Sequence, residues 1–232
     1  CEGRFCGIPS NLMKCQECYK KKGFDREYGA TILDYRSKWE ALFGEEADVV
    51  CFSVSSEELL TRAFPQIARV IVSPHAVRPL PKVKTNGYNH DEIRIGIIGR
   101  MCEHKGASIV KSIAEHSRAA GISVVLFGDF EDGQKPDGIK VIGEYQRDEL
   151  SNLVQSEEID VIFFPSIWPE TFSFTCSEAI SMGLPVASFD IGAPAERIKA
   201  YDLGKVMPLD LDIEEIVDEL IRHANKSGVP NS

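Results

Sequence analysis

The sequence predicts an α/β fold, a doubly wound parallel sheet with helices on both faces. Three observations carry that prediction. From Ile93 onward, short apolar runs alternate with helical patterns, the order that parallel βαβ units require. The run Val161-Ile162-Phe163-Phe164 is apolar at every position, as a strand buried on both faces is. Glycines punctuate the pattern, following a strand at Gly99 and ending a helix at Gly183.

Residues 1–29 are polar, cysteine-rich and glycine-punctuated, with too little apolar periodicity for a core of their own. Residues 31–43 place Ile32, Leu33, Tyr35, Trp39, Leu42 and Phe43 at helical spacing, ended by Gly44. Residues 48–53 read as a strand. The run Ser55-Ser56-Glu57-Glu58 opens a helix to about residue 64, with a serine cap and early acids. Residues 69–72 read as another strand, and 78–91, with Pro79, Pro81, Asn86 and Gly87, as a linker. Strands then fall at 93–98, 123–127, 140–142, 160–164, 185–189 and 205–207. Helices fall at 105–120, 147–155, 175–182, 195–200 and 213–224. The expected organisation is a cysteine-rich segment (1–29), the last elements of a first α/β domain (30–78), a linker (79–92) and a main domain (93–232).

Composition narrows the function. The 232 residues are 43% hydrophobic and 27% charged, ordinary globular proportions. A net charge of −10 argues against a general nucleic-acid binder or a protein of anionic membrane surfaces. No apolar run approaches the roughly 18 residues of a membrane span. The sequence opens on Cys1 without a signal-peptide pattern, which reads as a piece of a longer protein. Seven cysteines, an odd number, in a chain able to build a large core make a cytoplasmic setting the expectation. Attachment to the inner face of a membrane is left open for the full-length protein.

Two turns carry candidate chemistry. The first, Ile97 to Gly106, follows a strand and contains Gly99, Arg100 and Lys105. Its glycine lets backbone approach a ligand, and its two cations can hold phosphate oxygens. The alternative is a pair of solvated surface charges. The three-glycine dinucleotide fingerprint is absent, which disfavours a nicotinamide enzyme. The second turn, Pro165 to Glu178, reads P-S-I-W-P-E-T-F-S-F-T-C-S-E and lies between a strand and a short helix. Its carboxylates, Glu170 and Glu178, have seven residues between them. Ligands of open α/β sheets bind beyond the carboxyl ends of strands, where helix N-termini receive anions. Paired carboxylates also occur in hydrolases, but the accompanying Arg and Lys speak for an anionic donor.

Together these turns resemble the nucleotide-sugar domain of GT-B glycosyltransferases, specifically the family 4-like group. Gly99, Arg100, Lys105 and Gly106 match its G-R-x-x-x-x-K-G turn, and Glu170 and Glu178 match its two glutamates. Gly128, Gly183-Leu184-Pro185-Val186, Gly192 and Glu196 match later positions, so the resemblance covers about residues 93–225. Ser173 stands where the group usually has glycine, and Gly192-Ala193 replaces a double glycine. The resemblance implies a Rossmann-like donor-binding half and transfer of a sugar from a nucleoside diphosphate sugar to a glycan acceptor, with retention. The W-P-E-T-F-S wording is similar to members that build surface polysaccharides.

The resemblance implies that Arg100 and Lys105 hold the diphosphate, Glu178 accepts from ribose hydroxyls, and Glu170 is the catalytic carboxylate at the donor sugar. Backbone N–H groups of Phe172, Ser173, Phe174 and Thr175 would take phosphate and sugar oxygens. His75 falls at the expected hinge between domains, and His104 lies within the phosphate turn. No metal is implied for catalysis. The rest of the N-terminal acceptor domain is the expected missing partner. The alternatives are a nucleotide-sugar epimerase of the same fold and a non-catalytic donor-binding module of a larger synthase.

A separate motif is C-x4-C-x8-C-x2-C, formed by Cys1, Cys6, Cys15 and Cys18. Four thiolates make a closed tetrahedral zinc site that supplies folding energy to a segment without a core. An iron–sulfur centre and disulfides are the rivals. The G-R-x-C-G pattern at residues 3–7 is similar to cysteine-bearing insertions of some polysaccharide glycosyltransferases.

Overall fold

The computed structural model describes residues 5–9, 11–44, 47–84 and 92–227. The chain divides into two compact units, Cys1–His75 and Ala76–Ser232.

The first unit begins with a helix, α1 (Leu12–Lys21), which the polar sequence did not announce. Asn11 caps it by accepting from the Met13 N–H at 3.0 Å. Aromatic packing replaces the missing apolar stripe. Tyr19 is buried, with its ring 5.9 Å from that of Phe24 and 6.1 Å from that of Tyr35. Gln16 ties the helix to its successor by accepting from the Ile32 N–H at 2.8 Å. The segment to residue 29 is therefore packed within this unit rather than standing apart.

Helix α2 (Ile32–Phe43) opens with a capping box of Thr31 and Asp34. Strands β1 (Val49–Cys51) and β2 (Val70–Val72) pair in parallel around α3 (Val54–Ala63). The serine cap of α3 is Ser53, two residues ahead of the expected start, because its hydroxyl accepts from the Ser56 N–H at 3.1 Å. His75 ends the unit with its ring stacked on Phe52 at 3.9 Å.

The second unit is the predicted doubly wound sheet. Its strands are β3 (Ile93–Ile98), β4 (Ile122–Phe127), β5 (Ile139–Val141), β6 (Val161–Phe164), β7 (Val186–Phe189) and β8 (Gly204–Met207), in the spatial order β5-β4-β3-β6-β7-β8. Every pair is parallel. The chain winds outward from β3 through β5 and then returns to place β6 on the other side of β3. The switch point thus lies between β3 and β6.

Side chains of successive strand residues alternate between two buried layers. Ile95, Ile97, Val124, Leu126, Phe163 and Phe189 face one layer, with α4 (Ala107–Ala120) and α8 (Ile213–Ser227). Ile98, Val125, Phe127, Ile162 and Phe164 face the other, with α5 (Leu150–Ser156), α6 (Phe174–Met182) and α7 (Gly192–Lys199). Helix α7 begins three residues before its expected start. Pro194 is tolerated there because N–H groups of a first helical turn have no intrahelical partner.

The proline-bearing stretch expected as a linker is, in its first part, a strap on this unit. Leu80 and Val83 are buried among α5 and α6 residues. The Val83 N–H donates to the Met182 carbonyl at 2.9 Å, and the Leu80 N–H to Ser181 Oγ at 3.0 Å. Proline's fixed φ suits an extended strap as well as a loop, so composition could not separate the two. Asn86 and Gly87 lie outside the described residues. No helix among the described residues is long and apolar enough to cross a membrane.

Candidate functional site

The turn after β3 is locked to the turn after β4. The Gly99 N–H donates to the Phe127 carbonyl at 2.9 Å, and the Met101 N–H to the Asp129 carbonyl at 2.8 Å. Gly128, at φ +133, lies so close that a Cβ there would meet the Gly99 carbonyl oxygen at 2.2 Å. Only glycine fits both the conformation and the contact. These turns open onto a cavity of about 840 Å³, whose lining includes Gly99, Arg100, Gly128, Glu144 and Tyr145. Arg100 is the only Lys or Arg on that lining among the described residues. Burial first, and then the nearby Glu178 carboxylate, push the Tyr145 phenol up to about 12.

Across the switch point the turn after β6 packs against the turn after β3. The expected helix from residue 105 is split: a 3₁₀ turn, Glu103–Lys105, precedes α4. Gly106 (φ +82) makes the break, and a Cβ there would meet the Pro165 carbonyl at 2.2 Å. The His104 carbonyl accepts from the Ile167 N–H at 3.1 Å and from Ser166 Oγ at 3.2 Å. His104 thus contributes its backbone to the junction. These contacts bring Lys105 Nζ to 3.9 Å from Glu170 Oε2. At that distance, with the lysine 39% exposed, the pair is loose and leaves the ammonium able to turn to an anion.

Glu170 is fixed through its backbone. Its carbonyl accepts from the Ala193 N–H at 2.9 Å, at the start of α7. Beyond it, Ser173 adopts φ 65 and ψ 91 just before α6. Its hydroxyl lies 3.4 Å from Thr175 Oγ1. The Phe172 and Phe174 rings meet edge to face at 4.9 Å, with Phe172 buried and Phe174 exposed. Glu178, one turn into α6, is buried and accepts from Arg147 Nε at 2.6 Å. Arg147 also donates to the Arg78 carbonyl of the strap. One oxygen of Glu178 is therefore held, and Oε2 is the candidate acceptor for a ligand hydroxyl.

Two residues of this region escaped the sequence reading. Arg147 lies 31 positions from Glu178, and no local pattern links them. Arg197 donates to the Ser173 carbonyl at 3.1 Å and to Ser177 Oγ, and its guanidinium sits 4.2 Å from the Phe172 ring centre. A signal for it existed. Arg197 is four residues after Ala193, so both share the face of α7 turned to the Glu170 loop. Burial lowers the pKa of this guanidinium, while Cys176, Glu196 and Glu170 favour its charge. Its Nη2 is buried and has no hydrogen-bond partner among the described residues.

The cysteine cluster takes a different form from the expected four-thiolate site. Cys15 and Cys18 lie on α1, Cys6 and Cys15 are free thiols, and Cys18 is disulfide-bonded. Cys1 lies outside the described residues. No group of three or more His, Cys, Asp or Glu among the described residues is placed to hold a metal. A sulfur in a disulfide is not a zinc thiolate, so the two are alternative chemical states of this segment.

Residues 82–228 match the profile of the family described as Glycosyl transferases group 1. Among solved structures, sucrose-phosphate synthase from Thermosynechococcus elongatus superposes with a TM-score of 0.65 at 17% identity, over 85% of this chain and 54% of that one. The lipopolysaccharide outer core galactosyltransferase WaaB gives 0.60 at 17% identity, over 79% and 54%. The Anabaena protein Alr3699/HepE, in complex with UDP and glucose, gives 0.60 at 15% identity, over 84% and 59%. At such identities the likeness is one of fold, and the chain spans little more than half the length of these proteins. No curated protein matches the chain by sequence.

Proposed function

The chain belongs to the group 1 glycosyl transferases, and from that premise we propose that it carries the donor site of a retaining hexosyltransferase. The donor is a nucleoside diphosphate sugar and the acceptor a growing glycan of a surface polysaccharide, made at the cytoplasmic side. The observation that carries this reading is the meeting of two turns at the β3/β6 switch point. There Arg100 faces the large cavity and Lys105 stands 3.9 Å from Glu170.

In this reading the nucleoside occupies the cavity, with a ribose hydroxyl donating to Glu178 Oε2. Arg100 and Lys105 receive the diphosphate. As the bond from the anomeric carbon to the phosphate oxygen breaks, negative charge grows on the diphosphate, and the two cations stabilise it. Glu170 lies at the sugar end, where a carboxylate opposes the positive charge developing on the anomeric carbon. The acceptor oxygen then bonds that carbon, and its proton leaves to the released diphosphate. UDP in the Anabaena structure makes UDP-sugars the first donors to try.

One observation favours a second reading, a non-catalytic donor-binding module of a larger synthase. The chain covers only 54% of the first two structures it resembles. The test is a transfer assay with a panel of nucleotide sugars, using this chain and the longest protein that contains it. Sugar transfer that disappears in Glu170→Ala supports the enzyme reading. Donor binding without transfer by either protein supports the module, and epimerisation of donor without acceptor would replace both.

A further inference from the structure

Ser173 holds a left-handed backbone conformation, φ 65 and ψ 91, that glycine adopts freely and a residue with a Cβ does not. It does so at the head of α6, in the stretch 172–175 whose N–H groups the family resemblance assigns to the donor's phosphate and sugar oxygens. Something outside the loop must hold that backbone, and the contacts identify it. From α7, Arg197 donates Nη1 to the Ser173 carbonyl at 3.1 Å and to Ser177 Oγ on α6. Its guanidinium plane covers the Phe172 ring at 4.2 Å, a second grip on the residue before the strained one. Nε adds a long bond to the Ala193 carbonyl at 3.4 Å, anchoring the side chain on its own helix beside the backbone contact to Glu170. The remaining group, Nη2, is buried and has no hydrogen-bond partner among the described residues. A half-buried guanidinium that spends its bonds on one loop carbonyl and one serine hydroxyl is a poor device for stability alone. The fork and the stacking face are what a guanidinium offers and a lysine lacks.

We propose that Arg197 is a positioning residue of the donor site, clamping the Phe172–Ser173 backbone so that residues 172–175 present their N–H groups to the donor's phosphate and sugar oxygens. The inference rests on the functional reading above. It makes Arg197 the counterpart of Ser173: with glycine at 173 the loop reaches this conformation unaided, and with serine it needs the clamp.

The test is a titration calorimetry cycle with the full chain, using whichever of UDP, GDP and ADP binds tightest. Arg197→Ala should weaken that nucleotide on the order of tenfold, about 1.4 kcal/mol. Ser173→Gly placed in the Arg197→Ala background should recover most of the loss, because it removes the strain that the clamp opposes. A purely structural arginine would lower the melting temperature without this rescue. Should Arg197→Ala fail to fold, Arg197→Lys carries the test: it keeps the charge, loses the fork and the stack, and should weaken binding in the same direction. Folded Arg197→Ala or Arg197→Lys with wild-type affinity overturns the proposal, as does a loss that Ser173→Gly leaves in place. A wild-type chain that binds none of the three nucleotides overturns the functional reading and this inference with it.

Discussion

Two glycines on the lining of the same cavity offer a controlled perturbation of the nucleotide site. Gly128 and Gly133 both stand at positive φ, +133 and +69. They differ in surroundings. A Cβ at Gly133 meets nothing within 4 Å, whereas one at Gly128 meets the Gly99 carbonyl oxygen at 2.2 Å and its carbon at 2.7 Å. Ordinary contact lies near 3.5 Å, so Gly128→Ala forces backbone from backbone by more than about 1 Å. The Gly99 N–H is already committed to the Phe127 carbonyl at 2.9 Å, so relaxation must break or stretch that bond. Gly133→Ala therefore incurs only the conformational term, roughly 1–2 kcal/mol. Gly128→Ala adds strain of about 1–3 kcal/mol and overpacking of about 1–3 kcal/mol, for a total of about 2–6 kcal/mol. Urea unfolding of the wild type and both variants measures this directly, as a fall in midpoint at constant slope. Because Arg100 follows Gly99, nucleoside diphosphate affinity should also fall more in Gly128→Ala than in Gly133→Ala. Equal stability losses in the two variants would refute the reasoning, since the close contact is then not a constraint.

Arg100→Ala should weaken nucleoside diphosphate binding by about 1.5–3 kcal/mol, and unchanged affinity by calorimetry removes Arg100 from the site. Glu178→Gln should weaken a nucleoside diphosphate while sparing inorganic pyrophosphate, and equal losses would point to a fold defect through the Arg147 contact. His223 provides the pH prediction. Its ring is half-buried 3.1 Å from the Leu203 carbonyl, and burial, with Lys205 and Lys226 nearby, holds its pKa below the usual 6.5. The unfolded chain therefore takes the proton first as pH falls, so this contribution to stability is complete above about 6.5 and is lost as pH falls toward the folded pKa. Urea unfolding at pH 7.5 and 5.5 should show that loss reduced in His223→Gln, and an identical pH dependence rejects it. For Cys1, Cys6, Cys15 and Cys18 we propose that reduced protein binds about one structural zinc per chain, less in Cys15→Ser. Elemental analysis with a free-thiol count checks this, and metal-free protein with Cys18 oxidised discards it.

The sequence alone determined whatever depends on local chemistry. The strand-and-helix alternation from Ile93 on, the Gly99–Gly106 turn and the Glu170/Glu178 spacing were legible because turns, caps and buried strands are written in neighbouring residues. Bounds moved by a few residues where tertiary contact decided them, as at Gly106 against Pro165 and at Pro194 in the first turn of α7. Helix α1 was missed because aromatic rings, not an apolar stripe, hold it, and those rings come from residues as far apart as Tyr19 and Tyr35. The strap at Leu80 and Val83 was missed because prolines mark extended chain without saying what lies against it. Only the folded sheet could set Lys105 beside Glu170, Arg147 on Glu178 and Arg197 beneath Ser173, since each pair is formed across elements distant in the chain. The strands deliver these residues to the carboxyl end of the sheet, and side-chain reach across the switch point does the rest.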